Sequence, residues 1–125
     1  MKNIGLDNIL AFHTKIISKT GGSDGVRDRG LIESALNRAF VTFDGKDLYK
    51  EAEKKISIIT HGLIRNHGFV DGNKRIGAAV MILLLRLNKI DINYTQEELV
   101  DFGLSVAEGK MNEEDIFNWI NQHKI

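Results

Sequence analysis

Apolar residues recur every three or four positions along most of the chain, which is the spacing of one helix face. These stripes, with capping and turn residues at their ends, predict about six helices. The predicted spans are Leu6 to about Thr20, Asp28–Ala39, Leu48–Asn66, Ile76–Leu87, Thr95 to about Glu108, and Asn112 onward. One interval is β-prone, because Val41–Phe43 is followed by the turn-forming pair Asp44–Gly45. We therefore expect a single all-α domain over residues 1–125 with one short extended segment.

The segment Ile76–Leu87 differs from the other predicted helices. It is apolar on nearly every face except at Arg86, which predicts a central helix covered all round. The third predicted helix has a charged start, from Tyr49 to Lys55, which we expect to be a solvated face. His13 lies in the first predicted helix, and we expect a partly exposed structural histidine there.

Composition excludes several classes of function. The 125 residues carry a formal net charge of zero and a sequence pI of about 6.9, so nothing global favours nucleic acid or an anionic membrane surface. The absence of cysteine excludes disulfides and thiolate metal sites and fits a reducing cytoplasm. Ile76–Leu87 is too short, and too closely bounded by charged residues, to span a bilayer. We expect a cytoplasmic protein with no direct nucleic-acid or membrane partner.

The stretch HGFVDGNKR, from His67 to Arg75, carries five polar functional groups directly before the apolar helix. A helix N-terminus binds anions through its unpaired N–H groups and the macrodipole. Lys74 and Arg75 would each be unfavourable there by roughly 0.3–1 kcal/mol unless an anion binds, and a guanidinium can hold a phosphate through two N–H bonds. Asp71 is a carboxylate of the kind that holds Mg²⁺ with substrate phosphates, and His67 can accept a hydroxyl proton. Together these groups indicate phosphoryl or nucleotidyl transfer.

Each of these residues has an ordinary interpretation when it is taken alone. Asp71–Gly72 is a common turn and a hairpin signal, but the flanking segments lack strand alternation. A lone histidine such as His67 is more often packed or solvated than catalytic, and adjacent cations are usually solvated. His61 precedes His67 by six residues, which is not the helical spacing of a zinc site. The order and combination of the groups favour a functional site.

The same stretch resembles the motif of the Fic/Doc family, H-x-F-x-[D/E]-G-N-[G/K]-R. The matching residues are His67, Phe69, Asp71, Gly72, Asn73, Lys74 and Arg75. The lysine version is similar to the Doc (death-on-curing) branch, the toxins of type II toxin–antitoxin pairs, and Ala78 stands where many AMP-transferring Fic proteins have arginine. Gly68 stands where the family often has proline, and we expect it to loosen the loop. The run from Gly25 to Leu36 also resembles the N-terminal part of Doc proteins.

The resemblance implies a compact Fic/Doc-like helical bundle with a central motif helix and a short flap. Doc-like proteins are kinases that use ATP to phosphorylate a threonine of the translation factor elongation factor Tu and so inhibit translation. By resemblance, His67 is the general base, Asp71 holds Mg²⁺ and Phe69 anchors the loop. The implied phosphate-binding residues are Gly72, Asn73, Lys74 and Arg75, and the implied target-binding flap is Val41, Thr42 and Phe43. A Phd-like antitoxin would bind an apolar groove as a helix.

Two other functions stay open at this point. The same loop can transfer AMP if the nucleotide lies reversed, although Lys74 and Ala78 both argue against it. A non-catalytic regulatory protein can also bind phosphate with such a loop. A Walker-type ATPase is excluded, because no G-x-x-x-x-G-K-[S/T] sequence is present. The self-inhibitory motif of some Fic proteins, [S/T]-x-x-x-E-[G/N], is also missing, since Ser105 to Glu108 is one residue short.

Overall fold

The computed structural model describes residues Met1–Ile125 as six α-helices and one short hairpin. The elements are α1 (Leu6–Thr20), α2 (Arg29–Asn37), a 3-10 turn (Arg38–Phe40), β1 (Thr42–Phe43), β2 (Lys46–Asp47), α3 (Ala52–Arg65), α4 (Asn73–Leu87), α5 (Gln96–Ala107) and α6 (Glu113–His123). The predicted all-α bundle of about six helices is confirmed. None of these helices has both the length and the apolar character needed to cross a bilayer.

Helix α4 lies at the centre of the fold, as its apolar sequence predicts. Its fully buried side chains are Ile76, Val80, Met81 and Leu84, all within one apolar cluster of 21 residues. Gly77 lets α3 approach closely, because a Cβ at this position would lie 2.4 Å from Ile64 Cγ1. The chain between α3 and α4, called here the motif loop (residues 66–72), is therefore mounted on two tightly packed helices.

Side-chain caps begin three of the other helices where the sequence predicts them. The Asp28 carboxylate accepts a hydrogen bond from Leu31 N at the start of α2. Thr95 and Glu98 form a reciprocal capping box on α5, and Asn112 begins α6 in the same way. Such caps contribute about 1 kcal/mol each, so the local sequence accounts for these boundaries.

The β-prone segment forms a two-stranded hairpin in which Thr42 faces Asp47. Asp44 and Gly45 have φ values of 53° and 74°, the positive values that a tight type I′ hairpin turn requires. The hydrogen bond from Leu48 N to Val41 O extends the pairing, so α3 begins four residues later than predicted.

The charged start of α3 is not wholly solvated, contrary to the prediction. The Lys55 side chain is only 5% exposed, and its ammonium group lies 3.2 Å from the Asp47 carboxylate. It also donates to the carbonyl oxygen of Tyr49. Through these two contacts, the buried Lys55 side chain connects the hairpin to the first turn of α3.

Candidate active site

The motif loop ends in a left-handed turn that starts α4. Gly72 is the N-cap residue with φ 78° and ψ 16°, a conformation that favours glycine. Helix α4 begins at Asn73, three residues earlier than the apolar pattern predicts. Its first backbone hydrogen bond runs from Ile76 N to Gly72 O, so the preceding N–H groups have no partner within the helix. The motif therefore lies at a helix N-terminus, as predicted, with Lys74 and Arg75 in the first turn.

Phe69 and Asn73 hold the loop against the core. The Phe69 side chain is buried, and Asn73 pairs with both backbone groups of Phe69. Asn73 Oδ1 accepts from Phe69 N at 3.0 Å, while Asn73 Nδ2 donates to Phe69 O at 3.0 Å. Because the amide is held in this way, Asn73 has its backbone N–H and the second hydrogen of Nδ2 left as donors.

A second segment, residues 25–28, fixes the outer side of the loop. Gly68 O accepts hydrogen bonds from Arg27 N and Asp28 N, at 2.8 and 2.9 Å. A Cβ on Gly68 would lie 2.4 Å from Ile32 Cγ1, so only glycine fits here without a shift in the core. The expectation that Gly68 loosens the loop is therefore wrong. It allows close packing of the loop on α2.

His67 is exposed at the edge of this rigid support. Its φ of 53° lies in the left-handed region, which is uncommon for a residue with a side chain. Arg27 Nε donates to His67 O at 2.6 Å and Arg27 Nη2 donates to Asn66 O at 3.3 Å, so the backbone here is held from outside. The exposed imidazole is thus presented on a fixed backbone.

Asp71 is an ionised carboxylate at the same helix end. Its oxygens accept hydrogen bonds from Ser23 N at 3.2 Å and from Gly72 N at 2.7 Å. These two bonds, with a smaller contribution from the Arg75 guanidinium, lower the pKa of Asp71 below its ordinary value of 3.8. The carboxylate is half-exposed and keeps its charge at neutral pH, as a ligand of a divalent cation must.

The two cations of the first turn have different surroundings. Arg75 Nη1 donates to Thr20 Oγ1 at 2.5 Å and to Gly21 O at 2.7 Å, which ties α4 to the end of α1, and Nη2 lies 3.6 Å from Asp71 Oδ1. Lys74 is exposed, and its stem crosses α5 so closely that a Cβ on Gly103 would lie 3.0 Å from Lys74 Cγ. Lys74 is the more available of the two for a ligand.

These groups surround one open cavity of about 360 Å³. Its walls are Ile64, His67, Val70, Asp71, Gly72, Asn73, Lys74, Arg75 and Ala107. Nowhere in the chain do three His, Cys, Asp or Glu side chains form a group that could hold a metal. A Mg²⁺ ion here would have Asp71 as its carboxylate and would complete its shell with phosphate oxygens and water, which is how Mg²⁺ is usually held.

The sequence of the chain is similar to those of known proteins, and the similarity includes the motif loop that forms this cavity. The profile of the Fic/DOC family matches residues 3–85, which include the whole motif loop. The chain belongs to the Fic/DOC family. It is 37% identical to toxin Doc of Mycolicibacterium smegmatis over 93 residues, which cover 74% of this chain and 67% of that protein. It is 28% identical to protein kinase doc of Escherichia phage P1 over 115 residues, covering 90% and 87% of the two chains.

The residues predicted to form a flap, Val41, Thr42 and Phe43, lie at the first strand of the exposed β1–β2 hairpin, in which Phe43 is 77% exposed. The hairpin is not a wall of the cavity. Its anchor, Lys55, precedes Asn66 by eleven residues of α3, which is roughly 16 Å at 1.5 Å per residue. An extended segment of about five residues would span that distance.

A groove of about 450 Å³ runs between α1, α4 and α5, as predicted for a Fic/DOC domain with a separate antitoxin. Its lining is largely apolar, with Ile16, Ala78, Ala79, Leu99 and Val100 among the residues, and Lys74 and Arg75 lie at one end. No glutamate reaches Arg75, whose one acidic partner is Asp71.

His13 is the site residue that sequence reasoning misplaced. It is 1% exposed rather than partly exposed, and its Nε2 lies 2.6 Å from Asp71 O. The signal was its spacing, because Ile9, His13 and Ile17 lie four residues apart on one helix face, and all three are buried. A polar residue in the middle of an apolar stripe indicates a buried partner.

Proposed function

We propose that this chain is a Doc-like toxin, an ATP-dependent protein kinase that phosphorylates a hydroxyl group, a threonine of a translation factor such as elongation factor Tu, and so inhibits translation. The observation that carries this proposal is the cavity in which an exposed histidine, an ionised carboxylate and two cations meet the free N–H groups of α4. The names of the relatives, a toxin Doc and a protein kinase doc, support it.

Each residue has a task in this reaction. His67 accepts the proton of the target hydroxyl as its oxygen attacks the γ-phosphorus, and the bond to the β-phosphate oxygen breaks to leave ADP. Asp71 holds Mg²⁺, which when bound neutralises phosphate charge. Lys74, Arg75 and the backbone N–H groups from Asn73 onward bind the phosphate oxygens, whereas the Gly72 N–H predicted to join them donates to the Asp71 carboxylate. Phosphoryl transfer depends mainly on such positioning and charge stabilisation.

The flap supplies the target-binding surface in this proposal. In the exposed segment of Val41, Thr42 and Phe43, an extended target segment can pair by strand addition with the backbone groups that do not face β2, which are those of Thr42. The segment would then run along α3 to place its hydroxyl at His67. Phe43→Ser is expected to raise KM for the protein target and to leave the KM for ATP unchanged, because the hairpin does not line the cavity.

The general base gives the direct test of catalysis. His67→Ala should abolish transfer and toxicity and leave the fold intact, since the ring is exposed. His61→Ala is the matched control, because His61 lies on α3 outside the cavity walls and should leave transfer unchanged. Target phosphorylation in a cell extract with ATP and Mg²⁺, followed by mass spectrometry, is the measurement. Undiminished transfer by His67→Ala would refute the assignment.

The apolar groove is the proposed binding site of a Phd-like antitoxin, bound as an amphipathic helix. A partner there would contact Lys74 and Arg75, and so would also reach the phosphate-binding end of α4. Val100→Asp should weaken antitoxin binding, since Val100 is 55% exposed in the groove. Leu104→Asp, on the same helix but outside the groove lining, is the matched control. Equal antitoxin binding by both variants would contradict this placement.

A further inference from the structure

His13 is a buried polar residue with neighbours at both ring nitrogens and on one face of its ring. Nε2 lies 2.6 Å from Asp71 O, and Nδ1 lies 3.5 Å from the Asp24 carboxylate. One face stacks on Phe69, with ring centroids 3.8 Å apart and planes 15° from parallel. A histidine that only filled space in the core would not need a polar partner at both nitrogens.

The hydrogen bond to Asp71 has a fixed direction. A carbonyl oxygen can only accept, so Nε2 of His13 carries the hydrogen and donates it to Asp71 O. This bond joins residues 58 positions apart and fixes the peptide plane between Asp71 and Gly72. That peptide leads directly into the left-handed turn that starts α4. A Cβ on Gly72 would lie 2.9 Å from Ile17 Cδ1 and 3.4 Å from His13 Nε2, so both α1 side chains lie next to the turn.

Asp24 extends the same network to the segment that holds the Asp71 carboxylate. Asp24 Oδ1 accepts from Gly25 N at 2.8 Å and from Thr14 Oγ1 at 3.3 Å. The preceding residue, Ser23, donates its N–H to Asp71 Oδ2. The carbonyl of Asp71 is therefore bonded by His13, which lies in α1. Its carboxylate is bonded by Ser23, which lies in the segment directly after α1.

From this geometry we infer that His13 is a positioning residue for the motif loop. It sets the direction of the Asp71 carboxylate and the start of α4 through the bond to Asp71 O, and it holds Phe69 by stacking. His13 is buried and is not among the residues that line the cavity. The inference rests on the proposed function only for its kinetic consequence, since the effect on the loop is a property of the chain alone.

Two substitutions separate the hydrogen bond from the packing. His13→Phe keeps a flat ring to stack on Phe69 but leaves Asp71 O without a donor. His13→Gln places an amide N–H near the position of Nε2 but removes the ring. If His13→Phe is too unstable to purify, His13→Met, which is flexible and also lacks a donor, takes its place with the same expectation.

His123 provides a matched control elsewhere in the fold. Its Nδ1 lies 2.7 Å from Trp119 O, its Nε2 lies 2.7 Å from a Glu98 carboxylate oxygen, and its ring stacks on Trp119 at 3.9 Å. His123→Phe therefore removes the same kinds of contact as His13→Phe, but on α6 and away from the motif loop. The His123→Phe variant therefore shows how the loss of such contacts affects amide exchange and transfer when the motif loop is not involved.

The first measurement is amide hydrogen exchange of the protein without nucleotide. Val70 N, bonded to Gly25 O, and Ile76 N, bonded to Gly72 O, flank Asp71 and report opening of the loop. Loss of the donor should speed exchange at both amides by about tenfold or more in His13→Phe, beyond any change in the core of α4. His13→Gln and His123→Phe should leave the ratio of loop to core exchange unchanged.

The second measurement is steady-state transfer. In His13→Phe, kcat should fall by about tenfold to a hundredfold, the effect of a misplaced catalytic group, while KM for the protein target stays the same. His13→Gln should recover most of the loss. Equal acceleration of loop and core exchange in His13→Phe, or a greater loss in His13→Gln than in His13→Phe, would overturn the inference and leave a packing role. Selective loop opening in a chain that transfers no phosphate would support the positioning role and refute the proposed function.

Discussion

Among the polar side chains of the motif, that of Asn73 should contribute most to the free energy of unfolding. It is the partner of both backbone groups of Phe69, through two hydrogen bonds of 3.0 Å, and Phe69 is 2% exposed. Asn73→Ala leaves a buried N–H and a buried C=O unpaired, at roughly 1–3 kcal/mol each. Allowing for partial relaxation, we expect a loss of about 2–4 kcal/mol, a large part of the 5–15 kcal/mol typical of one domain. Asn73→Asp should be no better, because a carboxylate oxygen would then face Phe69 O.

The assay is urea unfolding followed by the fluorescence of the single tryptophan, Trp119, which lies on α6 away from the substitution. Asn118→Ala, on the same helix as Trp119, is the matched control, because Asn118 is exposed and makes no side-chain hydrogen bond. It should change the free energy of unfolding by less than about 0.5 kcal/mol. A similarly small change in Asn73→Ala would refute the view that this amide secures the loop.

Three further predictions concern groups around the site. Gly68→Ala should lower the free energy of unfolding by about 1–3 kcal/mol, measured by urea unfolding, because its Cβ would meet Ile32 at 2.4 Å; unchanged stability would contradict the tight packing. Lys55→Met should cost about 1–3 kcal/mol and speed proteolysis within the hairpin, since the ion pair with Asp47 is lost; an unchanged cleavage rate would contradict the anchoring role. The lowered pKa of Asp71 means that its charge stabilises the fold at pH above about 4 and that this contribution is lost as pH falls through the lowered pKa. The fall in stability with decreasing pH should therefore be shallower in Asp71→Asn. Carboxyl NMR should show that Asp71 titrates with a pKa below 3.8; a pKa at or above 3.8 would refute this prediction.

The parts of the fold that the sequence predicts correctly depend on local interactions. The capping box of Thr95 and Glu98 and the Asp44–Gly45 turn act within four residues, so their sequence signals are complete. The apolar pattern predicts a start of α4 that is three residues too late, because the helix begins with the polar residues Asn73, Lys74 and Arg75. A glycine in the left-handed region at Gly72 decides this boundary, and its conformation cannot be read from hydrophobic spacing.

The contacts that fix the candidate site are mostly long-range, and for that reason the sequence did not reveal them. His13 and Asp71 are 58 residues apart, and Arg75 reaches Thr20 across 55 residues. That His67, Asp71 and the two cations line one cavity could be predicted, because the motif brings them together within nine positions. Their support by α1 and by the segment 25–28 depends on packing.

Lys74 is the residue that favours phosphate transfer over AMP transfer in the proposed function. A lysine brings positive charge suited to the most highly charged end of ATP, and the stem of Lys74 lies close against α5 at Gly103. Lys74→Gly should weaken phosphate transfer and permit some AMP transfer. A control for indirect effects is Lys110→Gly, since Lys110 is exposed and lies outside the cavity walls.

The most direct test uses ATP labelled separately at the α and γ positions, with Mg²⁺, the purified protein and a cell extract. The proposed mechanism predicts that the modified target retains the γ label, gains the mass of one phosphate and releases ADP, and that His67→Ala abolishes the labelling. Retention of the α label by the unmutated protein would contradict it and would establish AMP transfer instead.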